Sequence, residues 1–271
     1  MTLLSRLYAA QPRTKVAVGG LVALLLLVAL FDWNWFRPAL QNHLSQRSQR
    51  AVRIADLHVR LNARLQPVVR LRGVHIQNAP WAGTQPFVVA GEAEFTFEWL
   101  SLFQRVKLVS HLRLVDADIH LARQADGLRN WRLTRPDDRG PPRLQVMRLE
   151  PVRSKLHVVH QGVGLTLQTT SSPLAQADGE FTQRMVFSGS FHDGRFAGEA
   201  LTGPVLSLQR TGELFALRGE ARSADTRLRA DGRMADLIRF GGLDAQLHLS
   251  GPSLAQVRPF FPEQAWPATP P

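Results

Sequence analysis

Hydrophobic and polar residues alternate with a period of two through most of the chain after residue 51. The alternation is clearest in "ADLHVRLNARL", "VVRLRGVHI", "AEFTFEWL" and "HLRLVDADIHLAR". Successive side chains of a β-strand point to opposite faces of its sheet, so this pattern is typical of strands that are buried on one face. We therefore predict a mainly β protein with about a dozen strands, built as an elongated, curved, antiparallel sheet.

The stretch "GVHIQNAPWAG" interrupts this alternation. The apolar positions slip by one residue at Gly73, which predicts a β-bulge there. Pro80 has no amide hydrogen to donate and ends the strand. Trp81 is then predicted to fold back as a structural cap on the apolar face, against the strand Phe95–Trp99. A second structural cap is predicted at Trp131, which follows the hairpin-like turn Asp126–Gly127.

The apolar positions of the first strands form a candidate groove. Its predicted members are Val69, Leu71, Phe95, Phe97, Leu112, Leu114, Ile119 and Leu121. If the sheet stays open, these side chains line an apolar groove that holds acyl chains while headgroups stay in water. If the sheet closes into a sandwich or a barrel, they are ordinary core, and periodicity alone favours this second interpretation.

The second half of the chain continues the strand pattern. Residues 37–133 are predicted as a first β-rich region, and the Pro-, Asp- and Gly-rich residues 134–143 as an exposed loop. Residues 144–261 read as a continuation of the β-meander, with turns at Asp-Gly and Thr-Gly pairs. The last residues, 262–271, form a Pro-rich tail.

The N-terminal region carries an uncharged apolar run, "VAVGGLVALLLLVALF", which extends through "DWNWF" to residue 36. About 20 residues span a bilayer core, so residues 16–36 are predicted as a transmembrane helix. Arg6, Arg13 and Lys15 precede the run, with no acidic residue before Asp32, which places residues 1–15 in the cytoplasm and the rest outside it. Trp33 and Trp35 are predicted to form the outer aromatic belt. A cleaved signal peptide is the alternative, but no A-x-A-like site follows the run.

The charge balance indicates anionic partners. The 271 residues carry a formal net charge of +11 and include no cysteine, which excludes disulfides and thiolate chemistry. Three of the 33 basic residues and none of the 22 acidic ones lie before Asp32, so the remainder carries +8. Outside the cytoplasm, phospholipid headgroups are the expected anionic partner and nucleic acid is not expected. The alternative, which the pattern of the basic residues favours, is a plain solvated strand face.

Residues that carry chemistry are sparse. The nine histidines include no H-E-x-x-H pattern, and His157 and His160 are spaced to point to opposite faces of a strand. Asp116 and Asp118 share a strand and are interpreted as part of a polar face near a turn. No phosphate-binding loop, dinucleotide fingerprint or nucleophile motif is present. We therefore predict no catalytic residue, metal, cofactor or small-molecule substrate.

Several sequence blocks resemble the AsmA family. They are "LFDWNWFRPALQNHLSQRSQRAVRI", "NAPWAG", the segment from "EFTFEWL" to "DGLRNWRL", and "LSGPSLAQVRPFF". The resemblance covers residues 16–133 well and the rest loosely. Two departures are that Phe103 and Gln104 stand where the family has proline in a short helical segment, and that family members are usually much longer.

This resemblance implies an inner-membrane protein of bacteria, anchored by one N-terminal helix, with an open β-sheet groove in the periplasm. It implies phospholipid transport between the inner and outer membranes, with membrane phospholipids and other envelope proteins as partners. The alternative that it leaves is an envelope structural or assembly factor that affects the targeting or assembly of outer-membrane proteins. No catalytic residue comes with it.

Overall fold

The computed structural model of the chain describes residues 16, 19–20, 31–132, 144–207, 214–234 and 244–252. Most of the predicted transmembrane segment 16–36 therefore lies outside the described residues. The predicted tails 1–15 and 262–271 and the predicted loop 134–143 also lie outside them. Among the helices that the structure describes, none is both long and apolar enough to cross a membrane.

A short helical segment precedes the sheet. The 3₁₀ helix Trp33–Phe36 is capped by Asp32, whose carboxylate accepts a hydrogen bond from the Asn34 amide at 3.1 Å. Helix α1, Arg37–Ser48, follows directly, with proline in its first turn. It ends where Gln49 adopts a left-handed conformation with φ 54°.

In the described part of the chain, fifteen strands follow α1 and form one sheet. They are β1 (Val52–Arg53), β2 (Asp56–Leu61), β3 (Pro67–Ile76), β4 (Val88–Phe97), β5 (Lys107–Arg123), β6 (Leu144–Val146), β7 (Arg148–Val152), β8 (Lys155–His160), β9 (Leu165–Asp178), β10 (Phe181–Phe191), β11 (Gly194–Thr202), β12 (Leu206–Ser207), β13 (Phe215–Ser223), β14 (Thr226–Met234) and β15 (Asp244–Ser250). Single turns of 3₁₀ helix occur at Pro80–Ala82, Trp99–Phe103 and Gln161–Val163.

The sheet is mixed, which corrects the antiparallel prediction. Strands β1 and β2 both pair with β3, and β3, β4 and β5 are antiparallel neighbours. The other edge of β5 pairs with β6, β7 and β8 in succession, all parallel to it. Strand β5 has 17 residues, so three short strands fit end to end along one of its edges. The first of them pairs with the start of β5, so all three run in the same direction as β5.

Beyond β8 the sheet is an antiparallel meander in the order β8, β9, β10, β11, β13, β14, β15, and β12 turns back to pair with β7. Across the described strands, no pairing joins β15 to β1 or β2. The prediction of a mainly β, open and curved sheet is confirmed, and the closed sandwich or barrel is not what forms.

A line of backbone irregularities crosses the sheet where the alternation slips. Gly73, Gly91, Asp116 and Arg153 lie side by side on β3, β4, β5 and the β7–β8 connection. Three of them have positive φ: 57° at Gly73, 51° at Asp116 and 47° at Arg153. The alternation of side chains between the two faces shifts at the same level in each of these strands, so the pairing register is unchanged. The bulge predicted at Gly73 is therefore wrong. The apolar side chains consequently stay on one face on both sides of this line.

The main hydrophobic core lies on that face, between the first five strands and α1. Its buried members are Val52, Ile54, Leu57, Leu71, Val74, Ala90, Ala93, Leu114 and Ala117. Leu40 and Leu44 of α1 and the indole of Trp33 pack against them. A smaller cluster of Leu206, Phe215 and Met234 is buried farther along the sheet.

Candidate apolar binding face

One unbroken row of apolar or small residues crosses ten strands on the same side as the core. In strand order it consists of Ile76, Val88, Ile119, Leu156, Thr169, Phe187, Gly198, Ala221, Leu228 and Leu249. Each residue is the direct cross-strand partner of the next. Nine strand steps of about 4.8 Å give the row a length of about 43 Å along the sheet.

A second row runs beside the first through the meander. It consists of Ser171, Met185, Ala200, Gly219, Ala230 and Leu247. Because its residues are two positions from those of the first row, they point to the same side of the sheet. We call the two rows together the apolar face.

The two ends of the apolar face differ in how they are covered. In β3 to β5, α1 and Trp33 lie over the sheet, and the core beneath them is buried. In the meander, large apolar side chains of the face reach water: Leu228 is 39% exposed, Leu247 58% and Leu249 46%. The same strand pattern therefore produces a core at one end and an accessible apolar surface at the other.

Two phenylalanines keep this surface flat. A methyl group built on Gly198 would lie 2.7 Å from the ring of Phe187, its cross-strand partner. A methyl group on Gly189 would lie 3.0 Å from the ring of Phe196, again its partner. Each ring therefore lies across a glycine instead of standing upright, with the ring centroids 6.4 Å apart. The glycines leave a shallow surface rather than a filled interior.

The opposite face of the sheet is charged. Glu220 accepts hydrogen bonds from Arg229 at 2.8 Å and Arg222 at 2.6 Å, which lowers the pKa of its carboxyl group to about 2. Arg184 pairs with Glu199 on the neighbouring strands. Charged and polar side chains also line a shallow depression of about 420 Å³ across β11 to β15. The sheet is therefore amphipathic, with one face solvated by ion pairs and the other apolar.

The eight predicted groove residues meet on the apolar side of β3, β4 and β5. Val69, Phe95 and Leu112 are in register, as are Leu71 and Leu114 through Ala93. The rings of Phe95 and Phe97 stack with centroids 6.3 Å apart. Ile119 and Leu121 pair with Leu156 and Val158 of β8.

These residues lie at the end of the face that α1 covers, where Leu71 and Leu114 are buried. Sequence reasoning missed the accessible part, which includes Phe187, Leu228 and Leu247. The signal for it was present in the alternation of "QRMVFSGSF", "RLRADGRM" and "AQLHLS". This signal was weak because glycine and alanine occupy many of the positions that point to the apolar side of the sheet.

The predicted tryptophan roles have different outcomes. Trp81 is half-buried in the turn that follows Ile76, which pairs with Val88. Phe95 lies seven residues along β4 from Val88, about 23 Å away, so the predicted contact of Trp81 with the strand Phe95–Trp99 is wrong. Its role as a cap of the apolar face stays a prediction.

The other tryptophans have distinct surroundings. Trp131 is half-buried, with the Arg129 guanidinium 5.9 Å from its ring centroid, and its capping role also stays a prediction. Trp33 packs on the core and touches the ring of Phe31, whereas Trp35 is 84% exposed. The aromatic belt predicted for Trp33 and Trp35 remains a prediction.

One group of potential metal ligands comes together in the described part of the chain, on the charged face. Asp118 lies 3.3 Å from Nε2 of His157 and 3.7 Å from Nδ1 of His120. The two imidazoles stack with centroids 4.4 Å apart and planes 3° from parallel. An ion cannot lie in both ring planes at once, so coordination by both would require one ring to rotate. The stacked arrangement fits a surface pair better than a metal centre.

The fold and these two faces define the class: an open, amphipathic β-sheet protein with a long apolar face. Residues 11–142 match the sequence model of the AsmA family. The chain is also similar to the AsmA family protein YhjG of Escherichia coli (strain K12), with 25% identity over 274 residues that cover 88% of this chain and 40% of that protein. The AsmA resemblance seen in the sequence blocks is thus confirmed. The chain spans about 40% of the length of this curated relative, and no solved structure matches it.

Proposed function

We propose that this protein is a membrane-anchored, periplasmic lipid-handling protein of the bacterial envelope. In this proposal, its apolar face carries phospholipid acyl chains between the inner and outer membranes. The observation that carries the proposal is the unbroken apolar row across ten strands, which stays accessible in the meander. The similarity to the AsmA family supports an envelope-associated role.

The mechanism needs no chemical step. An acyl chain laid along the face removes apolar surface from water on both partners, and each buried methylene contributes about 0.8 kcal/mol. The phospholipid headgroup stays in water at the edge of the sheet. Since neighbouring positions of the row are about 4.8 Å apart and chemically alike, a chain can shift along the row in small steps without leaving the apolar surface. A flat surface, as Phe187 and Phe196 create, suits ligands that differ in length.

The direct test is the lipid content of the purified full chain. We expect mass spectrometry of the chain, extracted in mild detergent, to find phospholipid bound to it. Leu228→Arg places a charge on the apolar face at a half-exposed position and should abolish this binding.

Val186→Arg is the matched control. Val186 is 49% exposed, and it precedes Phe187 on β10, so it points to the charged face. It should leave lipid binding unchanged, with the melting temperature of both variants measured to check the fold. A chain without bound phospholipid, or equal binding by both arginine variants, would rule out the proposed role of the apolar face.

A further inference from the structure

A second apolar surface lies at one end of the sheet, apart from the apolar face. It is formed by Leu65, Trp99, Leu100 and Phe103, which we call the end cluster. Their exposed fractions are 49%, 44%, 79% and 85%. Leu65 lies in the β2–β3 turn, and the other three lie in the 3₁₀ segment that connects β4 to β5. The pairing of Val68 with Thr96 places these two connections at the same end of the sheet.

The end cluster is held in a defined conformation despite its exposure. The indole N–H of Trp99 donates a hydrogen bond to the carbonyl oxygen of Leu65 at 2.5 Å, which joins the two connections. Ser101 is 1% exposed, and its hydroxyl donates to the Glu98 carbonyl oxygen at 2.7 Å. The Lys107 ammonium donates to the carbonyl oxygens of Leu102 and Gln104, both at 2.6 Å. These hydrogen bonds hold the backbone of the segment in place while its apolar side chains point into solvent, which is typical of a contact surface.

The charges around the end cluster are mainly positive. Glu98, which precedes Trp99, is an acidic neighbour whose carboxylate accepts a hydrogen bond from Gln66 at 2.9 Å. Arg64 precedes Leu65, and Arg105 and Lys107 follow Phe103. The sequence from Trp99 to Val115 contains no acidic residue. Exposed leucine and aromatic side chains with a cationic rim complement the surface of an anionic bilayer, because the apolar groups enter the acyl region while the cations meet phosphates.

We propose that the end cluster inserts into the interface of an anionic phospholipid bilayer. Leu100 and Phe103 are the inserted side chains, and Arg64 and Arg105 contact headgroup phosphates. The end cluster follows the predicted groove directly along the chain, because Phe97 ends β4 two residues before Trp99 and stacks on Phe95. The end cluster therefore brings the apolar side of the sheet to the membrane. This inference deepens the proposed lipid function, but bilayer contact does not depend on lipid being carried.

The experiment uses the absence of cysteine from the chain. A single cysteine introduced by Phe103→Cys is labelled with an environment-sensitive fluorophore, and the full chain is reconstituted into vesicles of phosphatidylethanolamine and phosphatidylglycerol. We expect brominated phospholipids to quench this label, and we expect its quenching by aqueous iodide to fall roughly tenfold relative to the detergent-solubilised chain. Val186→Cys, labelled identically, is the control and should stay fully accessible to iodide. Both positions are exposed, so neither label should disturb the fold.

A second variant tests the charge rim. Arg64→Glu combined with Arg105→Glu should weaken the bromolipid quenching at position 103 when phosphatidylglycerol is present. Equal iodide access at positions 103 and 186 in vesicles would overturn the inference. Shielding that appears without lipid and grows with protein concentration would also overturn it, because the end cluster would then bind a second copy. Lipid content measured on the same sample separates failure of this inference from failure of the proposed carrier function.

Discussion

The side chain of Asn130 donates a hydrogen bond from Nδ2 to Oδ1 of Asn78 at 2.9 Å, joining two turns that are 52 residues apart. Asn130 is completely buried, and its amide also accepts from the Ala122 N–H at 2.8 Å and donates to the His120 carbonyl oxygen at 2.6 Å. Its backbone carbonyl accepts from Arg50. The two asparagines belong to the "NAPW" and "DGLRNW" blocks, so both blocks serve one structural junction.

The first prediction concerns this junction. Asn130→Ala leaves the Ala122 amide and the His120 carbonyl without partners in a buried site. We expect it to lower the free energy of unfolding by about 2–4 kcal/mol, measured by urea titration. Asn62→Ala, which removes an asparagine from a local turn, is the control and should cost about 1 kcal/mol or less. An equal effect of the two substitutions would show that the junction is not important for stability.

The strand content follows from the sequence because alternation reflects burial on one face. Alternation does not report which strand pairs with which, since parallel and antiparallel partners impose the same period. The parallel pairing of β6, β7 and β8 with β5 depends on where the chain re-enters the sheet at Leu144, which no local pattern encodes. The stacked pair His120–His157 was missed for the same reason, because only the register brings the two rings together.

The open meander could be predicted only by family resemblance. Closure depends on whether the edge strands β15 and β1 meet, and that depends on curvature summed over all strands. The slip at Gly73 was visible in the sequence, but its alignment with Gly91, Asp116 and Arg153 is a property of the assembled sheet. An isolated slip gives a bulge, whereas aligned slips leave the register intact.

The second prediction concerns Gly73. A methyl group at this position would lie 2.7 Å from Cβ of Ala55, and φ of 57° is strained for any other residue. Gly73→Ala should therefore lower the free energy of unfolding by about 1–3 kcal/mol. Gly203→Ala is the control, because its nearest contact would be 3.6 Å away and its φ is not positive. If both substitutions were neutral, the backbone at Gly73 would tolerate a side chain, and neither its positive φ nor its closeness to Ala55 would require glycine.

The third prediction concerns Glu220. Hydrogen bonds from Arg229 and Arg222 hold the pKa of this carboxyl group at about 2, below its ordinary value of 4.5. A lowered pKa in the folded state stabilises the fold at pH above 4.5, and this contribution is lost as the pH falls towards 2. Titration followed by NMR should find a midpoint near 2 for Glu220, and Arg229→Ala should move the midpoint towards 4.5. A midpoint near 4.5 in the unmodified chain would contradict the ion-pair geometry.

The fourth prediction separates the covered and accessible ends of the apolar side. Leu71 is buried beneath α1, whereas Leu247 is 58% exposed on the apolar face. Leu71→Ala should lower the free energy of unfolding by about 2–5 kcal/mol, because it leaves a cavity in the core. Leu247→Ala should change it by only about 0.5 kcal/mol, yet it should lower the amount of phospholipid that co-purifies with the chain. If Leu247→Ala were as destabilising as Leu71→Ala, Leu247 would be covered in solution and the meander would be a closed core rather than a binding surface.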